Sequence, residues 1–177
     1  VLIGGAACEL IMDEVGLDFR ATKDLDIVLV VEALDSAFTE RFWAFVEDGG
    51  YEVRERSEGA KVLYRFQKPK AGDFPAMLEL FSRAREGLKL SEDAHLTPLP
   101  IDKAAASLSA ILLDESYYDF LKSMVREVGG IPVLGEAAII PFKARAWLDL
   151  TRQRDEGGNV DEKNIRKHRN DVARLLQ

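Results

Sequence analysis

Asp24 and Asp26 are the residues whose types and spacing point most directly to chemistry. They open the aliphatic run Leu25 to Val31, and in a strand side chains alternate between two faces. Both carboxylates then point the same way, close enough to share one hard divalent cation or to bridge two. Such a pair repels unless something neutralises it, so it implies a metal, Mg²⁺ first and Mn²⁺ as its substitute, or a raised pKa on one acid. Upstream, Gly4-Gly5 ends a short apolar run and opens a helix. Without side chains there, backbone N–H groups and a helix N-terminus can approach a phosphate closely. Arg20 and Lys23 add positive charge beside it. Metal-binding carboxylates, a phosphate cradle and nearby cations are the parts of a phosphoryl-transfer site. Singly, a Gly-Gly pair is usually a turn and Asp-x-Asp a loop end; it is their order that carries the chemistry. A calcium-binding EF-hand is excluded, because Val28 stands where the next ligand belongs and no Gly follows.

In order, Ile3-Gly4-Gly5, then Arg20-Ala21-Thr22-Lys23-Asp24-Leu25-Asp26 running into an aliphatic strand, resembles the signature of the nucleotidyltransferase superfamily of the DNA polymerase β type. Within it the sequence is most similar to the AbiEii-like branch of abortive-infection and toxin–antitoxin systems. The resemblance is specific over Leu2 to Val31. It implies an α/β fold, a mixed β-sheet with flanking helices and a helical C-terminal part. It also implies transfer of a nucleoside monophosphate from an NTP to an acceptor hydroxyl on an RNA such as tRNA, a protein or a small molecule. Mg²⁺ or Mn²⁺ would be the cofactor, and a cognate antitoxin a partner. Carried over by position, the resemblance makes Asp24 and Asp26 catalytic metal ligands and places Gly4, Gly5, Arg20 and Thr22 around the nucleotide, with Lys23 as a further cation. Two departures stand out. Gly5 occupies a position where a Ser or Thr is usual, and the Gly5–Asp24 gap is long, so a longer helix or an extra loop must return the chain to the acids.

Three residues further along belong to the same argument. Glu79 is a lone acid in Met77-Leu78-Glu79-Leu80-Phe81, sharing a strand face with Met77 and Phe81. It faces water from a half-exposed strand, or it is buried and needs a compensating cation; the resemblance makes it the third metal ligand. Lys143 lies between Ile139, Trp147 and Leu150 on a helical wheel, inside the apolar stripe. Its stem packs while the ammonium reaches water, or, as in the resemblance, it reaches the triphosphate. Asp171 matches the family's final acid. It sits on a helix expected to pack through Ile165, Val172 and Leu176, with cations on its flanks as a solvated face or as a clamp for an acceptor's phosphates. His95 and His168 stand alone and read as structural or exposed.

The elements that must position these residues follow from punctuation by Gly and Pro. Val1–Ile3 reads as the end of a strand, Ala6–Val15 as a helix closed by Gly16, and Leu25–Val31 as a buried strand. Ser36–Asp48 reads as a helix with Ser36 as N-cap. Tyr51–Arg56 and Lys61–Gln67 read as strands joined by a turn at Glu58-Gly59, followed by a strand over Ala76–Ser82. Ser107–Leu113 is a strand or a buried helix turn. Helices are predicted over Glu115–Glu127, Glu136–Arg154 and Asp161–Leu176. This order gives an α/β unit over 1–105 and a mainly helical part over 106–177 packed on it.

The 177 residues, 47% hydrophobic and 31% charged, supply a core for one domain or one domain with a small appendage. No apolar run reaches the roughly 18 residues of a membrane span. One cysteine excludes internal disulfides and fits a reducing, cytoplasmic setting. The absence of an initiator Met before an apolar Val1–Ile3 points to an upstream segment trimmed away. A net charge of −7 excludes coating of long nucleic acid without a concentrated basic face, although residues from Pro141 onward carry 9 cations against 6 anions. The reading from a different class is a non-catalytic nucleotide-binding or protein-interaction module on the same fold.

Overall fold

The computed structural model describes residues 1–55, 61–84, 96–98 and 109–177. The predicted turn at Glu58-Gly59, His95 and the predicted division near residue 105 lie outside the described residues.

The chain runs β1 (Leu2–Ile3), α1 (Gly4–Glu14), β2 (Asp24–Val28), a 3₁₀ turn at Val31–Ala33, and α2 (Ser36–Gly49). It continues through β3 (Glu52–Glu55), β4 (Lys61–Gln67), β5 (Met77–Ser82), β6 (Leu96–Pro98), β7 (Ser109–Leu112) and α3 (Glu115–Ser123). Next come β8 (Val125–Val128), β9 (Ile131–Leu134), α4 (Glu136–Asp155) and α5 (Glu162–Leu175). Among the described residues, nine strands share one mixed sheet in the order β3-β4-β5-β2-β1-β9-β8, with β7 beside β5 and β6 beside β7. The α/β expectation therefore holds. No described helix is long and apolar enough to cross a membrane.

Strand alternation sorts the sheet's two faces. Leu78 and Leu80 of β5 join Phe42 and Val46 of α2 and Phe66 of β4 in one core, with Leu25 and Ile27 of β2 packed against it. The opposite face carries Val28 into a second core with Ala7, Cys8 and Ile11 of α1, Leu121 of α3, Val133 and Leu134 of β9, and Ile139 of α4. Asp24 and Asp26 share the Val28 face, because they lie four and two residues before it. Parallel pairing of β2 with β5 then puts Asp26 opposite Glu79 and Val28 opposite Phe81. Antiparallel pairing adds Ile3 of β1 opposite Asp26 and Arg65 of β4 opposite Glu79. One row across the sheet thus reads Ile3, Asp26, Glu79, Arg65.

Several predicted elements are corrected. The helix expected over Glu115–Glu127 stops at Ser123, and a hairpin of β8 and β9 follows. Its two-residue turn, Gly129-Gly130, has φ of 57° and 82°. Positive φ at both central positions is the conformation that matches the twist of paired strands, and only Gly adopts it without strain. β9 then lies parallel to β1, one strand in from the edge that β8 forms. The strand expected over Leu25–Val31 ends at Val28 and turns into the 3₁₀ segment. α1 begins at Gly4 rather than Ala6. Asp35, not Ser36, caps α2, its carboxylate accepting from the Phe38 N–H at 2.7 Å. Ser107–Leu113 resolves into β7, a strand. Leu176, expected in the packing stripe of the last helix, is 69% exposed.

The far end of β2 is fastened to α3 by Tyr118, which has no exposed surface. Its hydroxyl donates to Glu32 Oε2 at 2.8 Å and accepts from the Val31 N–H at 3.1 Å. Burial and the Glu32 carboxylate push the phenol up to about 12. Tyr118→Phe keeps the ring and strands the Val31 donor, so a loss of about 1–2 kcal/mol is expected in urea denaturation, with an unchanged m-value.

Candidate active site

α1 starts directly after β1, so its N-terminus opens onto the face that carries Asp26. Gly4 has φ of +67°, a conformation L side chains rarely adopt, and a Cβ there would lie 2.2 Å from Asp26 Oδ2. A Cβ at Gly5 would lie 2.4 Å from the Thr22 hydroxyl oxygen and 3.2 Å from Arg20 Nη2. The glycine pair is thus the space into which Asp26 and Thr22 fit. Thr22 puts its own hydroxyl where a Ser or Thr at position 5 would need room. The long Gly5–Asp24 stretch is accounted for by α1 and the loop that brings Arg20 and Thr22 back over its first turn.

Beside Gly4 and Gly5 lies a cavity of about 300 Å³. Asp26, Lys143, Lys167 and His168 supply its polar side chains, and Ile3, Phe81, Leu113, Tyr117, Leu121 and Phe142 much of its apolar wall. Burial first, and then the charge of Glu79, push the Asp26 carboxyl above the ordinary carboxylate range; Asp24 adds to the rise, while Lys143 and Lys167 oppose it. Asp24, Asp26 and Glu79 therefore share a face. Among the described residues, however, no three acidic, imidazole or thiol side chains, these three included, are grouped so that they could hold a metal ion. Glu79 turns to Arg65, whose Nε donates to Glu79 Oε1 at 2.6 Å, with a second close contact from Nη2. The Glu79 side chain is only 13% exposed, so Arg65 is the cation that compensates it here.

The second polar centre is Asp171, which is wholly buried. Lys143 Nζ donates to its Oδ2 at 2.8 Å, and Arg20 clamps both oxygens, Nε to Oδ1 at 2.9 Å and Nη2 to Oδ2 at 2.8 Å. Burial alone would raise this carboxyl; the hydrogen bonds from Arg20 and Lys143 outweigh it and hold Asp171 below its usual range. Arg20 also donates from Nη1 to the Thr22 hydroxyl at 3.3 Å. Lys143 is buried as its place in the apolar stripe predicts, but its ammonium goes to Asp171 rather than out to water. Lys23 is exposed and does not line the cavity.

Lys167, His168 and the aromatic wall escape the sequence reading. His168, expected to be structural or exposed, lines the cavity with a buried Nδ1 that has no hydrogen-bond partner among the described residues. Burial, then the charges of Lys143 and Lys167, push its imidazole below the ordinary value. Helical spacing carried the signal: Lys167 and His168 lie four and three residues before Asp171, on its face of α5.

No protein family, curated protein or solved structure matches the chain.

Asp26 and Asp171 respond to acid in opposite ways. A raised folded pKa penalises the ionised Asp26 at neutral pH, a penalty absent below the unfolded value of about 3.9, where both states hold the proton. Asp26→Asn is therefore expected to raise stability at pH 7 by about 1 kcal/mol, or about 2–4 °C in Tm, with the gain vanishing near pH 4. The lowered pKa of Asp171 contributes stability above about 3.9 that is lost as pH falls through the folded value. Asp171→Asn strands two cations and is expected to cost about 3 kcal/mol or more at pH 7, measured by thermal and urea unfolding across pH.

Proposed function

We propose that the chain is a Mg²⁺-dependent nucleotidyltransferase with a nucleotidyltransferase-like sheet, moving a nucleoside monophosphate from an NTP to an acceptor hydroxyl. The observation that carries the reading is the placement of Asp26, a half-buried carboxylate set against the Gly4 backbone at a helix N-terminus, beside a cavity that Lys143 and Lys167 also line.

The donor set fits a hard divalent cation. Mg²⁺ is usually held by one or two carboxylates together with substrate phosphates rather than by a full protein cage. Asp26 and Asp24 would hold it, and Glu79 could join on leaving Arg65. When bound, the ion would supply positive charge against the triphosphate and offset the desolvation and acid repulsion at Asp26. The chain's own residues account for the rest. The first turn of α1 offers its N–H groups, with Gly4 and Gly5 leaving the approach open. Lys167 and Lys143 place positive charge at the same end of the cavity, where phosphates would lie. The Asp171 clamp fixes Lys143 and Arg20, so these cations need little reorganisation as charge shifts to the leaving pyrophosphate. Glu79, opposite Asp26 in the sheet, would position the acceptor hydroxyl or take its proton.

The acceptor is an RNA, a protein or a small molecule, and an AbiEii-like role in a toxin–antitoxin pair is the biological setting this chemistry fits. The test is incubation with α-labelled NTPs, Mg²⁺ and cellular RNA, protein or small-molecule pools. Label is expected in one pool, and Asp26→Asn is expected to lower the rate at least about 10³-fold. NTP binding in a thermal shift without transfer to any pool would instead assign the cavity to a non-catalytic nucleotide-binding module.

A further inference from the structure

The cavity beside Gly4 is chemically divided. Its charged and imidazole side chains are those of Asp26, Lys143, Lys167 and His168. The rest of the wall is largely aliphatic and aromatic, with Phe81 of β5, Leu113, Leu121 of α3, and Tyr117 and Phe142. Tyr117 of α3 and Phe142 of α4 stack with ring centres 4.7 Å apart and planes inclined at 34°. Phe120 meets Phe142 edge-on at 5.8 Å. Tyr117 and Phe120 are each 42% exposed, although both are large rings that burial would favour. The core therefore does not account for them. Two aromatic rings from two helices, Tyr117 and Phe142, line the cavity, with Phe120 packed against Phe142, and the charged side chains line the same space.

We propose that this aromatic wall is a nucleobase subsite, in which Tyr117 and Phe142 take the base of a nucleoside triphosphate by stacking and do not read its edge. The inference rests on the nucleotidyltransferase reading and deepens it. With phosphates at the Gly4, Lys143 and Lys167 end, a bound nucleotide has one apolar wall left for its base. Every base has a π-face, and stacking on an aromatic side chain is sequence-tolerant, with a contribution of about tenfold to a hundredfold in affinity. Reading a base edge takes side-chain donors and acceptors placed along it. Among the described residues lining the apolar wall, the Tyr117 hydroxyl is the one side-chain group of that kind. The site accordingly accepts all four bases, with purines ahead through their larger stacking surface.

The experiment measures dissociation constants of the intact chain, with Mg²⁺, for ATP, GTP, CTP, UTP and base-free tripolyphosphate. Wild type is expected to bind the four NTPs within about tenfold of one another and each at least about tenfold tighter than tripolyphosphate. Tyr117→Ala is expected to weaken all four NTPs about tenfold while tripolyphosphate changes by less than about twofold. Tyr117→Phe is expected to restore NTP binding, which separates loss of stacking from damage to the fold. The proposal is overturned if NTPs bind no tighter than tripolyphosphate, if Tyr117→Ala leaves NTP affinity unchanged, or if it weakens a single base. Transfer activity that persists through any of these results leaves the nucleotidyltransferase reading standing. Failure of every NTP and of tripolyphosphate to bind sinks both together.

Discussion

A carboxylate without exposed surface is stable only where something answers its charge, and Asp171 is answered twice. Arg20, 151 residues earlier in the chain, clamps both oxygens, and Lys143, 28 residues earlier, takes a third hydrogen bond. One buried side chain thereby ties α5 to α4 and to the loop before β2. Ion pairs of this kind add little net stability over an apolar replacement, but they tolerate little displacement, because moving one partner leaves a charge unpaired in low dielectric. The tie places Lys143 at the cavity and Arg20 and Thr22 over the first turn of α1. The rest of the cavity's charged end is arranged around it.

Asp26 is the opposite case. Its neighbours on the sheet are acids, its surroundings are apolar, and the cations near it are shared with Asp171 or reach in from the surface. A chain selected only for stability would place an amide or an aliphatic residue there. Uncompensated charge of this sort gathers where ligands bind or chemistry occurs. The same logic applies to Glu79, whose hold on Arg65 keeps an otherwise unpaired acid tolerable in the absence of another cation.

The site was legible where local spacing carried it. Asp24 and Asp26 share a face because strands have a period of two, and Lys143 is buried because its neighbours at helical spacing are apolar. The glycine pair could be read as a close approach, although not what would approach: that Thr22 fills the space beside Gly5 depends on how the chain returns after α1. Registers between strands were not legible. Arg65 opposite Glu79 needs the pairing of β4 with β5, which no local pattern states. In the fold, the misread stretch was Glu115–Glu127. There the Gly129-Gly130 pair between two aliphatic runs was a hairpin signal, and it was outweighed by the helical pattern preceding it. β9 then takes its place beside β1 because the sheet has an open edge to fill, a fact of the tertiary structure alone.

The sheet order also governs when the cavity's walls can come together during synthesis. β1 is flanked by β2 and by β9, so the strand that leads into Gly4 gains its second neighbour only after some 130 further residues have emerged. The clamp on Lys143 and Arg20 waits longer still, for residue 171. Long-range closures of this kind slow folding. They also leave a half-translated polypeptide with its acids and glycines present well before the cations opposite them are locked in place.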